Sequence, residues 1–292
     1  KLSFNLNLIE VTDNHLKLIK SKKVNYFTFF LKKKLKESDI LITNNLFVYG
    51  LDLKKFRKKI FIFHHMDFSI ESKLTNHFNY KILQNLAVFD LIVVPSKYWK
   101  NYLSNYVDKD RIKVIYNSFD KDFIKDTVSN FDRNVFLKDN NIPLDKFIIY
   151  AGNPLLVKGI KDVLNTFKDT KYYIVTSGNY QPEAKVHNIN CTYTDYLRLI
   201  KSSDIVCLFS SFKEGWNRIA HESILCGKTV IGRRGTGGME ELINETNNFF
   251  IEDINIKDII KLSKITPNTD LLSKYDLEYF SNEWNNTLRN LK

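Results

Sequence analysis

The feature that most constrains this chain is a recurring alternation of short apolar runs with longer helix-like segments along most of its length. Runs at 39–43, 60–63, 91–95, 113–116, 147–151, 172–176, 205–209 and 229–232 are rich in β-branched and aromatic residues and lack strict apolar–polar alternation. A strand with one wet face alternates and a strand covered on both faces does not, so these runs predict parallel strands buried between helices. Helical patterning at 74–87, 160–168, 194–202 and 217–227 falls between them. Such a succession builds βαβ units and doubly wound sheets, so the fold class is α/β. With 292 residues the chain is long enough for two cores. The polar stretch 120–145, rich in Asp, Asn and Lys, reads as the passage between two α/β halves. This divides the chain into domains 1–125 and 126–275. Near the end, Leu277, Phe280, Trp284, Leu288 and Leu291 recur at near-helical spacing, predicting an amphipathic helix over 276–292 that docks on the rest.

Composition enters through what it excludes. The three cysteines, Cys191, Cys207 and Cys226, are odd in number and follow no metal-ligand spacing. Neither a disulfide framework nor a zinc site is expected, and a reducing cytoplasm suits the chain. No stretch approaches the roughly 20 apolar residues that cross a bilayer, and nothing at the start has a signal-peptide pattern. The chain begins at Lys1 and not at Met, so a longer natural start is expected.

The net charge of +11 is lopsided: residues 1–60 hold 14 bases against five acids, leaving +2 for all the rest. The bases gather in Lys22-Lys23, in Lys32-Lys33-Lys34 with Lys36, and in Lys54-Lys55 with Arg57-Lys58-Lys59. Such patches suit a polyanion: nucleic acid, anionic headgroups or a charged glycan. They also suit a solvated face in a chain with a Lys-, Asn- and Ile-rich composition.

The stretch 210–242, SSFKEGWNRIAHESILCGKTVIGRRGTGGMEEL, carries the chemistry. An apolar strand runs into Glu214-Gly215, and a helix starts near Asn217 and carries Glu222. The backbone amides of Gly215, Trp216, Asn217 and Arg218, together with the helix dipole, favour an anion there. Glu222 is flanked by Ile219, Ala220, Ile224 and Leu225, where an idle carboxylate is costly, so it needs hydroxyl donors such as a ribose diol. The loop Gly235-Thr236-Gly237-Gly238 permits close backbone approach to a ligand or a tight turn.

Glu214, seven intervening residues and Glu222, then Cys226-Gly227-Lys228-Thr229-Val230-Ile231 and Gly237-Gly238-Met239-Glu240-Glu241, resemble the donor-binding region of family-four retaining glycosyltransferases (glycosyl transferases group 1), which have the GT-B fold. Gly152-Asn153 with Lys158-Gly159 is similar to that family's G-R-x-x-x-x-K-G segment, with Asn153 where Arg is usual; Arg218 and Arg233 are the candidates to replace the missing charge. Upstream, Val93-Val94-Pro95-Ser96 and the stretch 111–120 resemble the strand ending in P-S and K-V-I-P-N-G-V-D. His64 and His65 follow the strand 60–63 as the family's sugar-facing histidine does. The resemblance covers about 39–245 and is strongest in the second half. The family's first strand leads into a glycine-rich loop, whereas the first glycine here is Gly50.

The resemblance implies two Rossmann-like domains facing a cleft, with the final helix packing back across them. It implies sugar transfer from a nucleotide sugar to a hydroxyl on a glycan or lipid-linked glycan, with retention, in polysaccharide biosynthesis. Catalytic roles go to Glu214, His64 and His65. Donor contacts go to Gly152, Asn153, Lys158, Gly215, Trp216, Asn217, Arg218, Ile219 and Glu222, and to Tyr193 in the stretch 190–194 beside the base. No cofactor and no metal is expected. The triplets Asp108-Lys109-Asp110 and Asp120-Lys121-Asp122 read as solvated turns, not as the metal-binding triplet of other glycosyltransferases. The basic first half is then expected to meet an anionic acceptor or membrane surface, peripherally on the inner face, and nucleic acid is not. Three other readings remain: a catalytically silent GT-B protein that binds a glycan or partner, a sugar-nucleotide epimerase, and a nucleic-acid binder. The epimerase leaves the two-Glu spacing unexplained, and the nucleic-acid binder leaves both acids without a task.

Overall fold

Two all-parallel sheets order the chain in the computed structural model, which describes residues 38–44, 53–66, 83–179, 182, 184–272 and 275–291. The first sheet is β1 (Ser38–Thr43), β2 (Phe56–Ile62), β3 (Leu91–Val94) and β4 (Ile112–Val114), in that spatial order. The second holds β5 (Ile148–Tyr150), β6 (Tyr173–Ser177), β7 (His187–Ile189), β8 (Ile205–Leu208), β9 (Val230–Gly232) and β10 (Phe249–Phe250). Its spatial order is β10-β9-β8-β5-β6-β7. The chain therefore builds outward from β5 in one direction and returns to build from β8 in the other.

The connecting helices are α1 (Lys97–Leu103), α2 (Lys121–Ser129), α3 (Arg133–Asp139), α4 (Ile160–Thr166), α5 (Tyr193–Ser202), α6 (Arg218–Leu225), α7 (Gly238–Glu245), α8 (Ile259–Leu262) and α9 (Leu277–Asn290). Every residue of β5 and β8 is buried. Successive side chains point to opposite faces, so Tyr150, Val206 and Leu208 pack with α5 and α6 while Ile149, Ile205 and Cys207 pack with α4 and α8. That is the physical content of the missing alternation in the sequence.

One expectation is corrected and another gains detail. The strand expected at 60–63 begins at Phe56, so Lys58 and Lys59 of the basic run lie half-buried in β2, and Lys59 pairs with Asp90 at 3.2 Å. Their long aliphatic stems let charged residues occupy a strand whose charge pattern alone reads as solvated surface. The polar stretch 120–145, read as the passage between the two halves, contains two helices. The Asp120 carboxylate accepts from the Phe123 amide at 2.9 Å, and Asp132 accepts from the Asn134 and Val135 amides at 2.8 and 3.0 Å. These acids cap α2 and α3, and Ile124, Phe136 and Leu137 join the core around α5. Asp108 likewise caps a short turn through the Asp110 amide. The edge strands β7 and β10 were not expected, being only three and two residues long. Most of the helix expected at 74–87, and the clusters at Lys22-Lys23 and Lys32–Lys36, lie outside the described residues.

The last helix docks through all of its predicted apolar residues but Leu277, which is exposed. Phe280, Trp284 and Leu288 of α9, with Leu291 just after it, pack on Ile60 and Val93 of the first sheet and on Ile115 just beyond β4. Lys113 to Glu283 and Lys121 to Asp276, both at 3.0 Å, fix its position. Trp284→Ala is expected to cost about 2–3 kcal/mol, less than a fully buried Trp, and to lower Tm by about 5–10 °C in calorimetry.

Candidate active site

In a doubly wound sheet, ligands bind beyond the carboxyl ends of the strands where the strand order reverses. Here that point lies between β5 and β8. Ala151, Gly152 and Asn153 follow β5, and the loop through Glu214 follows β8. A cavity of about 180 Å³ opens there, lined by Ala151, Asn153, Lys158, Leu208, Ser210, Glu214, Trp216, Asn217, Arg218 and Ile219. Most of the residues predicted from the sequence to contact the donor are thus brought together.

Glu214 is held from both domains. Its amide donates to the Thr236 carbonyl at 2.9 Å, and its carbonyl accepts from the Gly238 amide at 3.0 Å and from the Trp99 indole N–H at 3.0 Å. The glycines account for this closeness. A Cβ on Gly238 would lie 2.0 Å from the Gly215 carbonyl oxygen, and one on Gly215 would lie 2.1 Å from that of His64. The glycine pair Gly237-Gly238, read from sequence as approaching a ligand or a turn, approaches the Glu214 loop.

The Lys158 ammonium lies 3.1 Å from Glu214 Oε1 and 4.1 Å from the centre of the Phe212 ring. The next residue, Gly159, sits at φ +84, where a Cβ would fall 1.9 Å from the Phe209 carbonyl oxygen. Only glycine lets the Lys158 turn press against the strand β8 exit. Gly152, at φ +70, turns the chain out of β5. The Asn153 side-chain oxygen accepts from the Leu155 amide at 3.0 Å, so this residue shapes the turn and brings no charge. Asn217 caps α6 by accepting from the Ala220 amide at 2.8 Å. The Trp216 indole donates to His221 Nδ1 at 2.9 Å, which makes the neutral ring with its proton on Nε2 the tautomer present. Burial holds that imidazole down at about 3.

Glu222 is fully buried and lies behind the cavity wall. Its Oε1 accepts from the Tyr193 hydroxyl at 2.7 Å and Arg218 Nε at 2.9 Å, and its Oε2 accepts from the Tyr196 hydroxyl at 2.7 Å. Burial and then the neighbouring carboxylate raise the Tyr193 phenol well above its ordinary value. The buried carboxylate thus has the hydroxyl donors expected for it, but two tyrosines supply them. Tyr196 was not predicted; its position three after Tyr193, on the α5 face turned to α6, is the signal that identifies it.

His64 and His65 leave β2 at the seam between the domains. Both are exposed; the backbone of His64 abuts Gly215, and the His65 ring lies 5.7 Å from the ring of Phe212. Burial and the neighbouring His65 lower the His64 pKa. Neither imidazole lines the cavity. Arg233 is committed elsewhere, to Asp162 at 2.5 Å and Glu252 at 3.9 Å. Glu241 was read only as part of a motif. It accepts from the Tyr116 hydroxyl at 2.6 Å and from the Lys97 amide at the start of α1 at 2.8 Å, clasping one domain to the other. Among the described residues no cluster of His, Cys, Asp or Glu forms a metal site, and the three cysteines are unpaired.

Comparison with known proteins now bears on this geometry. The family model for Glycosyltransferase Family 4 matches residues 10–123. Among solved structures, Anabaena Alr3699/HepE in complex with UDP-glucose is 16% identical with a TM-score of 0.70, covering 90% of this chain and 82% of that one. Sucrose-phosphate synthase from Thermosynechococcus elongatus is 16% identical with a TM-score of 0.69, covering 98% and 81%. S. aureus TarM, in a complex that includes UDP, is 17% identical with a TM-score of 0.64, covering 89% and 57%. A comparison with curated protein sequences gives no match. The fold is GT-B, and the family match adds a likeness to the family-four glycosyltransferases over residues 10–123.

Proposed function

We propose that the protein transfers a hexose from a nucleotide sugar to a hydroxyl acceptor with retention of configuration at the sugar, and that it does so without a metal. One observation carries this reading: Glu214 is pinned by three backbone-directed hydrogen bonds and presented beside Lys158 at the strand-order reversal. In this reading the bond from sugar to diphosphate breaks as the acceptor oxygen bonds to the same carbon, and the acceptor hydroxyl's proton passes to an oxygen of the leaving diphosphate. Lys158 and the first turn of α6 stabilise charge that develops on the leaving diphosphate. Glu214 holds the transferred sugar, Glu222 the ribose, and His64 or His65 faces the sugar from the opposite domain. Because Alr3699/HepE binds UDP-glucose, UDP-hexoses are the first donors to test.

The basic first half, including the exposed Lys54 and Arg57, points to an anionic acceptor such as a lipid-linked glycan at the inner membrane face. No helix among the described residues is long and apolar enough to cross a membrane. A thermal-shift screen tests the donor reading. A bound nucleotide sugar at a hundred times its Kd adds about 2.7 kcal/mol, raising Tm by about 5–10 °C. No shift with any UDP-, GDP- or ADP-sugar overturns it.

A further inference from the structure

We infer that Arg218 is a second phosphate-holding cation of the cleft, kept in reserve by Glu222 until the donor's ribose replaces it there. This rests on the nucleotide-sugar reading above. Among the described residues the cavity lining holds two cations, Lys158 and Arg218, and each is paired with an acid. Asn153 brings no charge, and Arg233 is held by Asp162 and Glu252. A diphosphate therefore draws its second cation from the Arg218–Glu222 pair.

The pair is built to open on one side. Of the three donors on Glu222, Tyr196 is half-buried and packs on the core, whereas Tyr193 is 39% exposed and the Arg218 side chain 62% exposed. A vicinal diol offers two O–H donors, the number that Tyr193 and Arg218 supply on the outer side. Arg218 is the first residue of α6, and its guanidinium lies over the rings of Phe119 and Tyr193 at 5.7 and 5.2 Å, so it swings out without unpacking core. The cavity, about 180 Å³, is also smaller than the roughly 300–1,000 Å³ of a ligand pocket. When the diol arrives, Glu222 keeps its hydrogen bonds and the freed guanidinium, on the cavity wall, meets the phosphate. Binding the nucleoside portion thus charges the phosphate site.

The test is calorimetric titration of the full chain with uridine and UDP, or the equivalent pair for another base found by the screen. Arg218→Gln keeps an N–H for Glu222 but removes the charge. It is expected to weaken UDP about 10- to 100-fold and uridine less than about twofold. Arg218→Lys, which keeps a charge, recovers part of the loss. Tyr193→Phe removes one competitor for Glu222 and is expected to tighten UDP by about threefold or more. Unchanged UDP affinity in Arg218→Gln, or an equal loss for uridine and UDP, overturns the inference while leaving the proposed function standing. Failure of the wild-type chain to bind any nucleoside diphosphate overturns both.

Discussion

Glu214→Gln is expected to lower kcat/KM for sugar transfer by about 10³-fold while Tm moves by less than about 2 °C. The separation of the two effects follows from how the residue is held. Its position is set by backbone contacts to Thr236, Gly238 and the Trp99 indole, none of which uses the carboxylate. The side chain itself contacts Lys158, whose side chain is one-third exposed, so the ion pair contributes little to stability. The neutral amide keeps the shape and removes the charge, and losing one preorganised polar group at a reacting centre costs about 10²–10³ in rate. Steady-state kinetics with the donor found by thermal shift, beside calorimetry of both proteins, reads the two effects. A kcat/KM within about threefold of wild type would reduce Glu214 to a counter-ion for Lys158.

Gly238→Ala is expected to damage stability and activity together. Its Cβ would lie 2.0 Å from the Gly215 carbonyl oxygen and 2.9 Å from the carbonyl carbon, both backbone atoms that no side-chain rotation can clear. The glycine loop and the Glu214 loop must move apart, at a cost of about 1–3 kcal/mol and a Tm lower by about 3–10 °C. Since the same loops aim Glu214, a displacement near 1 Å lowers the rate by about 10²-fold. Gly227→Ala is the control: it sits at φ +72, and its Cβ would meet only the Lys201 ammonium at 3.9 Å. It is expected to lose about 1 kcal/mol from backbone strain and keep its activity.

The fold was legible because β5 and β8 are buried on both faces, and that physical state writes an unbroken apolar run. Glu214 and Lys158 were singled out through the family resemblance, and the structure shows that the glycines beside them allow close backbone approach. The stretch 120–145 read as the passage between the halves, and its two helices went unmarked because capping acids and loop acids look alike in sequence. What separates Asp120 and Asp132 from loop residues is Ile124, Phe136 and Leu137 behind them, buried against α5, a partner some 60–70 residues away. The clasp at Glu241 and the occlusion of Glu222 depend on contacts between distant segments, which no local pattern encodes. The family match falls on residues 10–123, whose motifs are the less legible.

The central claim is that this cleft breaks the bond between a sugar and a nucleoside diphosphate with retention. Without an acceptor, water is a slow substitute, so proton NMR of the chain incubated with α-linked UDP-hexoses follows the sugar as it is released. The account predicts UDP and the α-anomer of the free hexose appearing together before mutarotation, and neither forming with Glu214→Gln. Release of the β-anomer would contradict retention, and release at an unchanged rate by Glu214→Gln would contradict the site.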